Sequence, residues 1–125
     1  MSCNEFRVLV TGGRDYDDRE RGFRVLDRAL KAATMAEKSF VLIHGNARGA
    51  DKLSSLWASM RKDRVEERVY PADWSTHGRS AGPIRNQKML TKESPHVIIA
   101  FEGGKGTAHM VSIGKKAGVP VYEVK

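Results

Sequence analysis

The chain has 125 residues, of which 40% are hydrophobic and 30% charged, and a formal net charge of +7. That is enough for one domain with a real core and too little for two, so residues 1–125 are expected to form a single unit. No apolar run approaches the roughly 20 residues that span a bilayer, which excludes a membrane-spanning helix.

Cys3 is the only cysteine, which excludes an internal disulfide and a thiolate metal cluster. Met1-Ser2-Cys3-Asn4-Glu5 lacks the charged and apolar regions of a signal peptide, and a cytoplasmic setting is expected. The positive balance favours an anionic partner without separating a nucleotide from a nucleic acid.

The first apolar run, Phe6–Val10, reads as a strand and leads into Thr11-Gly12-Gly13-Arg14-Asp15. A helix is predicted from Asp17-Asp18-Arg19-Glu20, where Asp17 and Glu20 have the spacing of a capping box. Along it Arg21, Arg24, Arg28 and Lys31 lie opposite Phe23, Leu26, Leu30 and Ala33. This reads as a solvated face, with a polyanion footprint as the alternative. A second strand, Ser39–Ile43, runs into His44-Gly45-Asn46-Ala47-Arg48-Gly49-Ala50-Asp51 and a helix with Leu53, Leu56, Trp57 and Met60 on one stripe.

Val65–Tyr70 reads as the third strand. Pro71 to Pro83 follows as a long loop, of a kind that is usually functional or mobile in a compact domain. Trp74 anchors it, either as a structural plug or as a surface on which a base stacks. Arg85 and Asn86 come next, between a proline and a helix. Val97–Phe101 is the fourth strand, followed by Glu102-Gly103-Gly104-Lys105-Gly106-Thr107 and a helix carrying Met110, Ile113, Gly114 and Ala117. The fifth strand, Val119–Val124, has Pro120 near its entry.

Alternating strands and helices, with strands read as nearly continuous apolar runs, predict a single Rossmann-like α/β domain. It is a doubly wound sheet of about five parallel strands with helices on both faces. The carboxyl ends of its strands share one edge, so the three glycine turns converge there. Gly103, Gly104, Lys105, Gly106 and Thr107 are the candidate phosphate cradle: glycines let an anion approach the backbone and the helix N-terminus offers free N–H groups.

Gly12, Gly13, Arg14 and Asp15 form the second candidate turn, and His44, Gly45, Arg48, Gly49 and Asp51 the third. Arg85 would grip a phosphate through paired donors, and Asn86 would read a ribose hydroxyl or a base edge. Asp51 is either an N-terminal helix carboxylate, a ribose-diol ligand or a general base. His44 and His109 are proton-transfer candidates or structural histidines. The four histidines and scattered carboxylates show no metal-ligand spacing, so no metal site is expected. A divalent cation accompanying the phosphates of a pyrophosphate ligand stays open.

These stretches together resemble the YspA/cpYpsA-related branch of the SLOG superfamily. The resemblance rests on Val10–Tyr16, His44–Asp51, Pro71-Ala72-Asp73-Trp74, Ala81–Leu90, Ala100–Met110 and Ala117–Val121. It implies a Rossmann-like fold that holds nucleotides or nucleotide-derived molecules such as ADP-ribose, often in prokaryotic and phage settings, and commonly a homodimer or higher homo-oligomer.

Better-understood relatives, the cytokinin-activating phosphoribohydrolases, cut the N-glycosidic bond of a nucleoside monophosphate with an arginine and a glutamate. Their Arg-Lys-x-x-Met pattern is partly matched by Arg85-Asn86-Gln87-Lys88-Met89. In their Pro-Gly-Gly-x-Gly-Thr-x-x-Glu pattern, Glu102 stands here for the proline and Met110 for the glutamate. A thioether cannot act as a general base. The favoured reading is therefore a sensor or sequestering module for a nucleotide-derived small molecule. A hydrolase cleaving an N-glycosidic or phosphoester bond of a nucleotide, using Arg85 with Asp51 or His109, is the alternative. Nucleic-acid binding ranks third, because aromatic residues make up only 7% of the chain and none interrupts the first helix's arginine stripe.

Overall fold

A computed structural model describes residues 4–125, so Cys3 and the N-terminal reading around it lie outside the described residues. The order is β1 (Glu5–Thr11), α1 (Arg19–Met35), β2 (Ser39–His44), α2 (Ala50–Ser59), β3 (Val65–Val69), α3 (Trp74–His77), a 3-10 turn (Gly78–Ser80), α4 (Ala81–Glu93), β4 (Val97–Ala100), α5 (Lys105–Lys116) and β5 (Val121–Glu123). All strand pairs are parallel and the sheet order is β3-β2-β1-β4-β5. The chain winds outward through β2 and β3, then returns to the other side of β1 for β4 and β5. The switch point therefore falls between β1 and β4, where folds of this class bind ligands.

Strand alternation divides the core into two layers. Val8, Val10, Phe40 and Leu42 pack with Leu26, Leu30 and Trp57 beneath α1 and α2. Leu9, Val41, Ile43 and Ile98 pack with Met89, Leu90 and Met110 beneath α4 and α5. The expected outer face of α1 is as predicted: Arg21, Arg24, Arg28 and Lys31 are all exposed.

Four expectations need correction. The α1 cap is Asp18, whose carboxylate accepts from the Arg21 amide at 3.1 Å, because the helix starts one residue later than an Asp17 capping box requires. Of the stripe expected on α2, Leu53 and Trp57 are buried, together with Ala50 and Ala58, while Leu56 and Met60 face outward. The strands are not uniformly apolar: β3 and β5 are the sheet edges and carry exposed polar residues.

Pro71–Pro83 is not a long loop. Asp73 caps the short α3 through the Thr76 amide, and α4 already begins at Ala81 with Pro83 in its first turn. A proline there removes an N–H that has no intrahelical acceptor anyway.

The C-terminus of α4 is fastened to the sheet by charge. The Arg7 guanidinium donates to the Glu93 carbonyl at 2.7 Å and to the Ser94 carbonyl at 3.1 Å, a favourable place for a cation. The Glu93 carboxylate accepts from Arg68 at 2.7 Å and from the Tyr70 hydroxyl. This network orients α4, whose N-terminal half carries Arg85 and Asn86.

Candidate functional site

At the carboxyl edge of the sheet the β1–α1, β2–α2 and β4–α5 turns are joined directly through backbone. The Gly13 amide donates to the Glu102 carbonyl at 2.9 Å, and the Ala50 amide donates to the Gly13 carbonyl at 3.1 Å. Such contacts leave no room for side chains. A Cβ at Gly103 would overlap Thr107 Oγ1 and crowd Gly13, and one at Gly49, where φ is +84°, would overlap the Gly13 carbonyl. Gly49 and Gly103 are thus committed to bringing the turns together.

Gly104 differs: a Cβ there meets nothing within 4 Å, and the same holds at Gly106. Here α5 begins. Its first internal backbone bond runs from the Ala108 amide to the Gly104 carbonyl. The N–H groups of Lys105, Gly106 and Thr107 therefore have no acceptor among the described residues, and they carry the positive end of the helix dipole. The corresponding end of α2 is already occupied, since Ala50 and Lys52 donate to the carbonyls of Gly13 and Ala47.

These α5 amides border a cleft of about 680 Å³ at the switch point, a size suited to a small-molecule ligand. Gly12, Gly13, Arg14 and Asp15 border it from β1–α1; Asp51 comes from α2, Arg85 and Asn86 from α4, and His109 from α5. A second cleft of about 390 Å³ adjoins it, sharing Arg14, Ala47, Trp74 and Arg85 and adding Gly45 and Arg48. Most candidate residues are thereby brought together.

His44, Gly49 and Gly103 are not on the wall of the central cleft. His44 is fully buried: Nδ1 accepts from the Asn46 amide at 3.0 Å, and Nε2 faces Glu67 Oε2 at 2.5 Å. It organises the turn from below. Gly103 borders a separate surface groove on the other flank of α5.

Within the cleft the side chains are already engaged. Arg85 Nη1 donates to the Gly45 carbonyl at 2.6 Å, and Nε donates to Asn86 Oδ1 at 2.9 Å. Nη2 has no acceptor among the described residues, leaving one end of the guanidinium for a ligand. Burial pulls the Arg85 pKa below its ordinary value, opposed by the nearby Asp51 and aided by Arg14; a guanidinium stays charged regardless.

The Asn86 amide is oriented by its neighbours. With Oδ1 accepting from Arg85, its Nδ2 donates to the Gly106 carbonyl at 3.3 Å and to His109 Nδ1 at 3.1 Å. An accepting Nδ1 places the proton of a neutral His109 on Nε2.

Asp51 is 6% exposed, and its Oδ2 accepts from the amides of Gly45 at 3.1 Å and Ala47 at 3.2 Å. Burial pushes its carboxyl above the usual carboxylate range, and the Ala47 and Gly45 amides offset this only in part. Arg48 and Asp15 pair across the rim at 3.6 Å, both largely exposed.

Met110 is fully buried in the layer under α5, as its place in the helix stripe predicts. Sequence reasoning missed Arg79 and Met89 as cleft residues. Neither carried a signal in the sequence: Arg79 lies in a segment that reads as a loop, and Met89 is indistinguishable from any other core methionine. Among the described residues, no group of three or more His, Cys, Asp or Glu is arranged to hold a metal ion. No helix among them is long and apolar enough to cross a membrane.

Comparison with known proteins agrees with this architecture. The model of the YspA, cpYpsA-related SLOG family matches residues 6–77, which contain the first two glycine turns and Trp74. The chain is also similar to the Gene 61 protein of Mycobacterium phage D29, with 38% identity over 120 residues, covering 92% of this chain and 93% of that protein. The chain belongs to the YspA, cpYpsA-related SLOG family.

Proposed function

We propose that this protein binds a nucleotide-derived ligand, an ADP-ribose-type molecule or nucleoside phosphate, as a sensor or sequestering module. The phosphate lies against the N-terminus of α5. The observation that supports this reading is the set of N–H groups of Lys105, Gly106 and Thr107, which lack acceptors among the described residues and open at the sheet's switch point. Arg14 and Arg85 line the same cleft as these amides, and their charge is complementary to the same anion.

Calorimetric titration with inorganic phosphate, AMP and ADP-ribose tests the reading. Gly104→Val should stay folded, since its Cβ meets open space, and should lose binding because the methyls occupy the anion's position. Wild-type affinity in a folded Gly104→Val variant would move the site elsewhere.

One observation favours hydrolysis as the second reading. The Arg85–Asn86–His109 chain of hydrogen bonds fixes the His109 ring, and a neutral ring so held bears its proton on Nε2. The Nε2–H of a His so held can donate a hydrogen bond to the departing base while Arg85 holds the phosphate; water attacks C1′ as the N-glycosidic bond breaks, and the base takes up the proton that the water releases. Chromatography of nucleoside monophosphates incubated with wild type and His109→Gln decides it: free base released only by the wild type supports the enzyme, and none from either supports the binding module.

A further inference from the structure

We infer that Trp74 is the platform on which a flat aromatic base stacks, so that the ligand class is a base-bearing nucleotide and not a sugar phosphate alone. This rests on the reading above, in which α5 holds the phosphate. The chain has two tryptophans, and they are placed oppositely. Trp57 is fully buried and donates its indole N–H to Asp27 at 2.9 Å. Trp74 is 49% exposed, and its indole N–H has no acceptor among the described residues.

A structural plug would be buried against a core, yet every residue from Asp73 to Ser80 is exposed, and Trp74 belongs to neither core layer. Its ring instead stands between the two clefts and forms part of the wall of both.

The ring is nevertheless held in place. Its edge lies over Gly82 in the first turn of α4, 3.6 Å from the position a Cβ would take. The Arg14 guanidinium sits 5.6 Å from its centroid. The Asp73 carboxylate caps α3 and fixes the ring's point of attachment. A half-exposed ring with the Arg14 guanidinium over it and Arg85 on the walls of the same clefts matches a ligand that is anionic at one end and planar at the other. Stacking of this kind tolerates any base, because every base presents a π-face.

The experiment uses the full chain with AMP, ribose 5-phosphate and inorganic phosphate, read by calorimetry and tryptophan emission. Wild type should bind AMP about 5- to 150-fold more tightly than ribose 5-phosphate, the range expected for one stacked base. Only AMP should quench the emission of Trp74. Trp74→Leu should bring AMP down to the affinity of ribose 5-phosphate, leave ribose 5-phosphate unchanged and abolish the quench, whereas Trp74→Phe should keep most of the preference. Both variants should melt with the wild type, as the ring lies outside the core.

Equal affinity of wild type for AMP and ribose 5-phosphate, or undiminished AMP binding by Trp74→Leu, would overturn the base platform while leaving the phosphate cradle intact. If none of the three probes binds, the cradle reading fails and this inference fails with it.

Discussion

Arg85→Lys separates charge from geometry in the cleft, because it keeps the one and removes the other. In the native protein Nη1 bonds the Gly45 carbonyl at 2.6 Å while Nε bonds Asn86 Oδ1 at 2.9 Å. A lysine ammonium donates from one nitrogen and cannot reproduce the rigid spacing by which Nε and Nη1 reach both sites, so one of the two bonds is lost. Losing one hydrogen bond from a charged group costs roughly 1.5–3 kcal/mol. For a chain of this size about 4 °C of melting temperature accompanies each kcal/mol, so Tm should fall by roughly 6–12 °C without any ligand present.

Binding is a separate readout. If Nη2 grips the phosphate, the variant should also lose roughly 10- to 150-fold in affinity for AMP, measured by calorimetry below its Tm. Arg28→Lys on the exposed face of α1 is the control and should change neither quantity. A variant melting within about 2 °C of wild type would refute the anchoring role reasoned from these distances. Unchanged affinity at a lowered Tm would keep Arg85 as a scaffold residue and remove it from the ligand.

Acid stability should depend on Glu93. Burial raises its carboxyl pKa, but the Tyr70 hydroxyl and Arg68 outweigh this and hold it below the usual carboxylate range. Because its folded pKa is the lower one, its contribution is complete above the unfolded value of about 4.3 and is lost as pH falls through the folded value. Urea midpoints measured from pH 6 to pH 3 should therefore decline less steeply in Glu93→Gln, and parallel declines would contradict the network. Met110→Glu restores the acidic residue of the related hydrolases but buries a charge in a fully enclosed site. It should destabilise the fold by several kcal/mol and should not create base-releasing activity; a stable, active variant in melting and chromatographic assays would overturn this. Gly49→Ala should cost more than 1 kcal/mol in urea denaturation, because it adds a clash with the Gly13 carbonyl to a φ of +84°.

The strand, glycine-turn and helix pattern was legible in the sequence because its causes are local. Runs such as Val8-Leu9-Val10 and Val97-Ile98-Ile99-Ala100 specify buried parallel strands, and glycines at their ends mark turns whichever partners the strands take. The convergence of three turns on one edge follows from topology alone, which is why Gly12, Arg14, Asp51, Arg85, Gly104 and His109 could be named and do meet in one cleft.

What only the tertiary structure decided is which of these groups remain free. Gly49 and Gly103 look like cradle glycines but are taken up by contacts between turns, while Gly104 and Gly106 are open. His44 ends its strand on the α2 side of the sheet and is buried with Nε2 against the exposed Glu67 of the edge strand, a consequence of register with β3 and not of its own neighbours. Asn86 is tied to Arg85 and His109 across two helices. Trp74 stands half exposed because a short capped helix, not a loop, carries it. Each depends on atoms distant in sequence arriving within hydrogen-bond or van der Waals reach, and local propensity carries no record of that distance.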